Sequence, residues 1–174
     1  MILKTDNLLI RSFIESDGRA FAKMAEDGSL SDVGLTADCA EWIDEWAKEA
    51  TALSREDDPK KEYIACTVCL RATNEVIGSV GCSYYEDLDE VGITYFIGNQ
   101  YRQNGYAAES VRAYSDYFFS HYPIDRLIAT IREANAASWK TIESCSFSLI
   151  EEKMYKDLND ETEQMYRFYE RRRQ

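Results

Sequence analysis

The sequence predicts a mixed α/β fold in one domain, 1–174, with strands interleaved with helices and a hairpin closing the sheet. Three observations predict it. Within 91–119 the hydrophobic period changes. Val91, Ile93, Tyr95 and Ile97 alternate with Gly92, Thr94, Phe96 and Gly98 as in a buried strand. Ala107, Val111, Tyr114/Ser115 and Phe118 then share one face of a helix. Around that stretch, strand-like and helix-like segments follow one another without a repeat or a second-domain linker. Finally, 174 residues with 45% hydrophobic and 13% aromatic side chains suffice for a core and are too apolar for a disordered chain.

Taken in order, Leu8 to Phe13 reads as the first strand. Asp17 to Asp27 carries Phe21, Met24 and Ala25 at helical spacing, with Ser16 or Asp17 as cap. Residues 28–36 form a loop. Asp38 to Leu53 is a second helix with Trp42, Ile43, Trp46, Ala47 and Ala50 on one face, for which core packing is the expectation. Ser54 to Lys61 is a charged linker. Strands follow near 62–70 and 76–85, joined by a turn at Ala72–Glu75. Gly78 and Gly81 weaken the second of these, which predicts close approach of a ligand or of neighbouring backbone.

Asp87–Glu90 leads into the central strand, and Ser120–Pro123 ends the central helix. Arg126 to Ile131 is the next strand and Asn135 to Cys145 a short helix. Leu149–Lys156 and Gln164–Glu170 make the closing hairpin around Asp157–Glu161. Arg171–Arg173 reads as a solvated tail.

Charge and cysteines narrow the function classes. A net charge of −12 disfavours nucleic acid and anionic membrane surfaces as partners and favours a cationic substrate such as an amine. Acidity that only maintains solubility is the plainer explanation. There is no apolar run long enough for a membrane span and no signal-peptide core at the N-terminus, so a cytoplasmic location is expected. Five cysteines without a framework spacing read as free thiols. Cys66 and Cys69 lie three apart in a strand and so face opposite sides, which argues against a shared metal.

The candidate site is the turn between the central strand and its helix. First-turn amides lack helical partners and sit at the positive end of the dipole, so a strand running through a glycine turn into a helix can hold an anion. Gly105 permits unusual dihedrals, Ala107 and Ala108 keep the next turn thin, and Arg102 adds charge. Glu109 argues against phosphate beyond the loop, and ordinary turn chemistry alone would also explain the glycine. A P-loop is excluded because no Gly-Lys pair occurs, and the three-glycine dinucleotide fingerprint is absent.

The pattern that does fit is Arg102-Gln103-Asn104-Gly105-Tyr106-Ala107 behind a hydrophobic strand. With Leu8–Phe13 at the start and Asn135-Ala136-Ala137-Ser138 after the later strand, the whole chain resembles the GCN5-related N-acetyltransferase (GNAT) superfamily. The likeness is closest to its ribosomal-protein N-acetyltransferase branch.

The resemblance implies a mostly antiparallel sheet splayed at the middle with flanking helices, and acetyl-CoA as co-substrate without a metal. It implies an amine acceptor, a protein N-terminus or a small molecule, and allows a homodimer. By the same likeness, backbone at Tyr95, Phe96 and Ile97 holds the pantetheine and thioester. Arg102, Gln103, Asn104, Gly105, Tyr106 and Ala107 hold the pyrophosphate, and Asn135 contacts the pantetheine, although a helix cap is its alternative role. Ser138 handles the thiolate proton.

Arg132 and Lys140 are expected beside Arg102 as local positive charge. For the base, Glu90 is first and Asp89 second, with Tyr84 and Tyr85 as pocket candidates. A tyrosine found in many relatives four residues after Ser138 is Ile142 here, and the usual Gly-Phe is Ser146-Phe147. Those departures keep open a catalytically idle coenzyme A-binding sensor or scaffold. A purely structural module would bind no coenzyme A. His121, the one histidine, is expected to cap a helix C-terminus.

Overall fold

The computed structural model describes residues 1–157 and 159–174. The strands are β1 (Ile2–Lys4), β2 (Leu8–Ser12), β3 (Tyr63–Leu70), β4 (Val76–Tyr85), β5 (Glu90–Ile97), β6 (Arg126–Arg132), β7 (Ser148–Tyr155) and β8 (Gln164–Arg172). The helices are α1 (Asp17–Ala25), α2 (Ile43–Glu56), α3 (Tyr106–His121) and α4 (Ala136–Glu143). All eight strands join one sheet in the order β1-β2-β3-β4-β5-β6-β8-β7.

Each neighbouring pair is antiparallel except β5 and β6, which run parallel and meet only at Gly92↔Ile128. By contrast β4 and β5 stay in register from Gly78↔Ile97 to Tyr85↔Glu90. The sheet is therefore mostly antiparallel and splays at its middle, as expected.

Each face of the sheet carries its own apolar cluster. On one, Val111, Tyr114 and Phe118 of α3 and Ile142 of α4 pack against Leu8, Ile10, Val68, Val80 and Ile93. On the other, Phe21 and Ala22 of α1 and Ile43, Ala47 and Ala50 of α2 pack with Phe13, Leu30 and Ala65. The helical faces read from 3.6-residue spacing are the faces that are buried.

Several details correct the sequence reading. Leu8–Ser12 is the second strand, because Ile2–Lys4 pairs with it along the sheet edge. Three residues of an edge strand carry too little alternation to be seen. The second helix is broken at its start: Cys39–Glu41 form a 3-10 turn, and α2 begins at Ile43 and runs through Glu56 into the predicted linker.

Neither Ser16 nor Asp17 caps α1 by a side-chain bond of the usual kind. Asp17 instead turns inward to Arg11, Thr67 and the Ile14 amide. Arg171 and Arg172 belong to β8, and Arg173 donates to the carbonyls of Phe119, Tyr122 and Ile124, so the expected solvated tail is pinned to the end of α3.

The hairpin of β7 and β8 forms as expected, with β8 as the inner strand; Leu158 in its connection lies outside the described residues. At Gly78 and Gly81 neighbouring backbone takes the space of a side chain. A Cβ would come 2.2 Å from the Phe96 carbonyl oxygen and 1.9 Å from that of Ile64. Among the described residues, no helix is long and apolar enough to cross a membrane.

Candidate active site

Where β5 and β6 part, the β6-facing edge of β5 loses its strand partner beyond Gly92. A cleft of about 1200 Å³ opens there. Ile93, Thr94, Tyr95 and Phe96 of β5 line it opposite Ala129–Arg132 of β6. Tyr84 and Tyr85 at the end of β4, Glu62 and Tyr63 at the start of β3, and Tyr155 and Tyr166 of the closing hairpin also line it, as do Asp32, Trp42 and Trp46. The segment between β2 and β3 thus builds one wall. Trp46 serves core and cleft together, packing against Phe13 at 5.2 Å and stacking on Tyr63 at 6.1 Å, whereas Trp42 is exposed.

Across the opening, Tyr95 reaches from β5 to α4. Its phenol oxygen lies 2.7 Å from Ser138 Oγ and 3.0 Å from the Ser138 carbonyl oxygen, to which it donates. Burial pushes the Tyr95 phenol well above the usual tyrosine range, against the lowering effect of Ser138, so it stays protonated. Asn135 Oδ1 accepts from the Ser138 amide at 3.2 Å and caps α4. Tyr95, Phe96, Asn135 and Ser138 all line the cleft.

Ile97 does not line it, nor do Arg102, Gln103, Asn104, Gly105, Tyr106 and Ala107, which form the turn beyond the end of β5. Gly105 has φ +79 and nothing within 4 Å of where a Cβ would sit, so its backbone is left-handed and open on that side. The first intrahelical bond of α3 runs from Glu109 N to Gly105 O, leaving the preceding amides without helical partners. Arg102 ties this turn down, Nε donating to Ile97 O at 3.0 Å and a terminal nitrogen to Ser29 O at 3.0 Å. Asn104 donates to the Tyr101 and Arg102 carbonyls.

Glu109 faces away from the turn. Its oxygens accept from Thr5 and from Asn7, and these bonds hold the carboxyl below its ordinary range although burial alone would raise it.

The remaining expected residues divide. Arg132 lines the cleft but pairs with Asp32 at 2.7 Å and with the buried Asp160, so it adds no free positive charge there. Lys140 is exposed beside Trp139, 5.5 Å from its ring. Glu90 is outside the lining and paired with Arg126 at 3.0 Å, and Asp89 accepts from Tyr84 at 2.7 Å. The structure does not bring these two carboxylates to the cleft. Glu62, Glu86 and Asp87 do line it, and hydrophobic periodicity does not single them out.

His121 sits 2.7 Å from Asp57 rather than capping carbonyls, and outside the cleft. All five cysteines are buried free thiols, and burial pushes Cys82 up to about 12. Among the described residues no Ser-His-Asp or Cys-His array forms, since the hydrogen bond of the His121 ring is to Asp57. Among the described residues no group of His, Cys, Asp and Glu is arranged to hold a metal. Ile142 is fully buried, and Ser146 adopts φ +65, the conformation a glycine takes without strain.

The turn, the splayed strands and the cleft coincide with a sequence match over residues 7–148 to the model of the acetyltransferase (GNAT) domain. The chain belongs to the GNAT acetyltransferase family. Its fold is that of solved GNAT structures. The Bacillus anthracis GNAT acetyltransferase is 18% identical, with 99% of this chain and 98% of that chain covered and a TM-score of 0.81.

The ribosomal L7/L12 alpha-N-protein acetyltransferase RimL, solved with coenzyme A, is 15% identical over 99% and 98% with a TM-score of 0.81. A Salmonella typhimurium acetyltransferase that modifies the N-terminal serine of L7/L12 is 15% identical over 100% of both chains at 0.80. The resemblance to the ribosomal-protein branch therefore holds at the level of fold. No curated protein sequence matches the chain.

Proposed function

We propose that this GNAT protein moves the acetyl group of acetyl-CoA onto a primary amine, on a protein N-terminus or a small molecule, by direct attack of the amine on the thioester. The whole chain, 1–174, acts as one acetyltransferase domain. The observation that carries the reading is the parting of β5 from β6 after Gly92↔Ile128, with Ser138 beside the unpaired edge and the Gly105 turn at the strand's end.

In this reading, backbone of Tyr95, Phe96 and Ile97 holds the pantetheine and thioester as an added strand would. The amides of Arg102 through Ala107 meet the pyrophosphate at the positive end of α3. Asn135 contacts the pantetheine while capping α4, and Ser138 faces the leaving sulfur. Positioning supplies much of the rate, because a thiol of ordinary pKa leaves readily. Glu90 has its own partner in Arg126, so water in the cleft, beside Glu86 and Asp87, accepts the amine proton. The aromatic lining and these carboxylates suit an ammonium group before it loses its proton. Two structural relatives act on the L7/L12 ribosomal protein, which also supports an amine acceptor.

Calorimetric titration of acetyl-CoA into the wild type and an Arg102→Ala/Gly105→Val variant, with circular dichroism confirming that both are folded, tests the reading. Saturable binding lost in the variant is expected, followed by acetylation of members of an amine panel. Binding without turnover would point to the sensor or scaffold instead. Absence of wild-type binding near millimolar acetyl-CoA would sink both.

A further inference from the structure

We infer that Tyr95 is a positioning residue for acetyl transfer: its phenol holds the Ser138 hydroxyl so that the serine proton faces the departing sulfur. This rests on the acetyl-transfer reading above. The phenol has one proton and two acceptors within reach, Ser138 Oγ at 2.7 Å and the Ser138 carbonyl oxygen at 3.0 Å. When it donates to the carbonyl, the short contact to Oγ is made with the serine proton, which is then committed to the phenol. When it donates to Oγ, the serine proton is released toward the cleft.

A negative sulfur in the cleft selects the second arrangement, because a hydrogen bond to an anion is about twice as strong as one between neutral groups. Two hydroxyl rotations make the change, with no heavy atom moving. The Ser138 main chain is held from the other side by Asn135 Oδ1, so the serine stays in place during the exchange. Burial keeps Tyr95 protonated, a donor throughout the working pH range.

The step balances without ionising either hydroxyl. The amine nitrogen bonds to the acyl carbon, the carbon–sulfur bond breaks, and its electron pair leaves on sulfur. Ser138 donates a hydrogen bond to that thiolate while keeping its proton. The surplus proton on nitrogen passes to water, and the thiolate takes one from water to give the amide and free thiol.

The test uses Tyr95→Phe, Ser138→Ala, Ser138→Thr and the Tyr95→Phe/Ser138→Ala double variant. Two readouts are followed: kcat and KM for acetyl-CoA, and the thiol pKa of bound coenzyme A from thiolate absorbance. Tyr95→Phe and Ser138→Ala each lower kcat about tenfold, the worth of one hydrogen bond to a charged group, with KM changed less than about twofold. The double variant is no slower than Ser138→Ala, Ser138→Thr retains more activity than Ser138→Ala, and the bound thiol titrates higher by the same amount in both single variants.

Wild-type behaviour of Tyr95→Phe in both readouts, or losses that multiply in the double variant, overturns the inference and leaves the acetyl-transfer reading intact. A wild type that binds coenzyme A yet acetylates no amine ends that reading, and the thiol titration still decides the role of Tyr95. A wild type that does not bind coenzyme A ends both.

Discussion

Asp17 keeps a charge inside the protein by accepting four hydrogen bonds, three on Oδ2 and one on Oδ1. It is 3% exposed and accepts from both terminal nitrogens of Arg11 at 2.7 and 2.8 Å, from Thr67 at 2.6 Å and from the Ile14 amide at 3.1 Å. Burial alone would raise its pKa; Arg11 first, then Thr67 and Ile14, hold it below the ordinary carboxylate range. A folded-state pKa below the unfolded one contributes stability that is complete above about pH 4 and is lost as pH falls through the folded value. Asp17→Asn is expected to cost about 3 kcal/mol at pH 7, since it leaves Arg11 without its counter-charge. Chemical denaturation from pH 7 to pH 2 should show the gap between wild type and variant closing as pH falls. A constant gap would assign the loss to packing. From sequence Asp17 reads as a helix cap, because residue type and position near a helix start are visible, whereas the arginine and threonine that claim it lie in other strands.

At the scale of elements, α4 joins fold and chemistry. Asn135 caps it through the Ser138 amide, and Ser138 meets Tyr95 one turn inside. Asn135→Ala is expected to lower stability by about 1 kcal/mol, while Asn135→Asp keeps the cap and the stability. Acetyl-CoA titration of both variants separates the two roles of Asn135. Weaker binding in the folded Asp variant marks a contact with the pantetheine, and unchanged binding leaves the cap as its whole function. The long elements were legible: β3, β4, β5 and α3 fall within a residue or two of their predicted places, because each shows many turns of its period. Short or interrupted elements were not. Ile2–Lys4 offers three residues of pattern, and the break at Trp42 leaves the helical spacing of 38–53 unchanged on paper.

For the whole molecule, a net charge of −12 acts with carboxylates at the cleft, where Glu62 and Glu86 have no ion-pair partner among the described residues. Long-range attraction of a cationic acceptor is screened by salt, with a Debye length of about 10 Å at 0.1 M. Raising ionic strength from about 20 mM to about 500 mM should therefore increase KM for a cationic amine several-fold and change kcat little. Steady-state kinetics across that range checks it, and a flat KM would mean that the acidity serves solubility alone.

Fold family and the run of the chain were legible from residue order alone, since periodicity and the Arg102–Ala107 pattern are local and survive in one dimension. It also placed Tyr95, Asn135 and Ser138 on their elements. Which groups face one another came from the folded chain: that Tyr95 meets Ser138, that Arg132 is neutralised by Asp32 and Asp160, and that Glu90 pairs with Arg126. Those partners are set by where β5 and β6 part and by strands brought together from distant parts of the chain, and hydrophobic periodicity says which side of a strand is buried but nothing about what it is buried against.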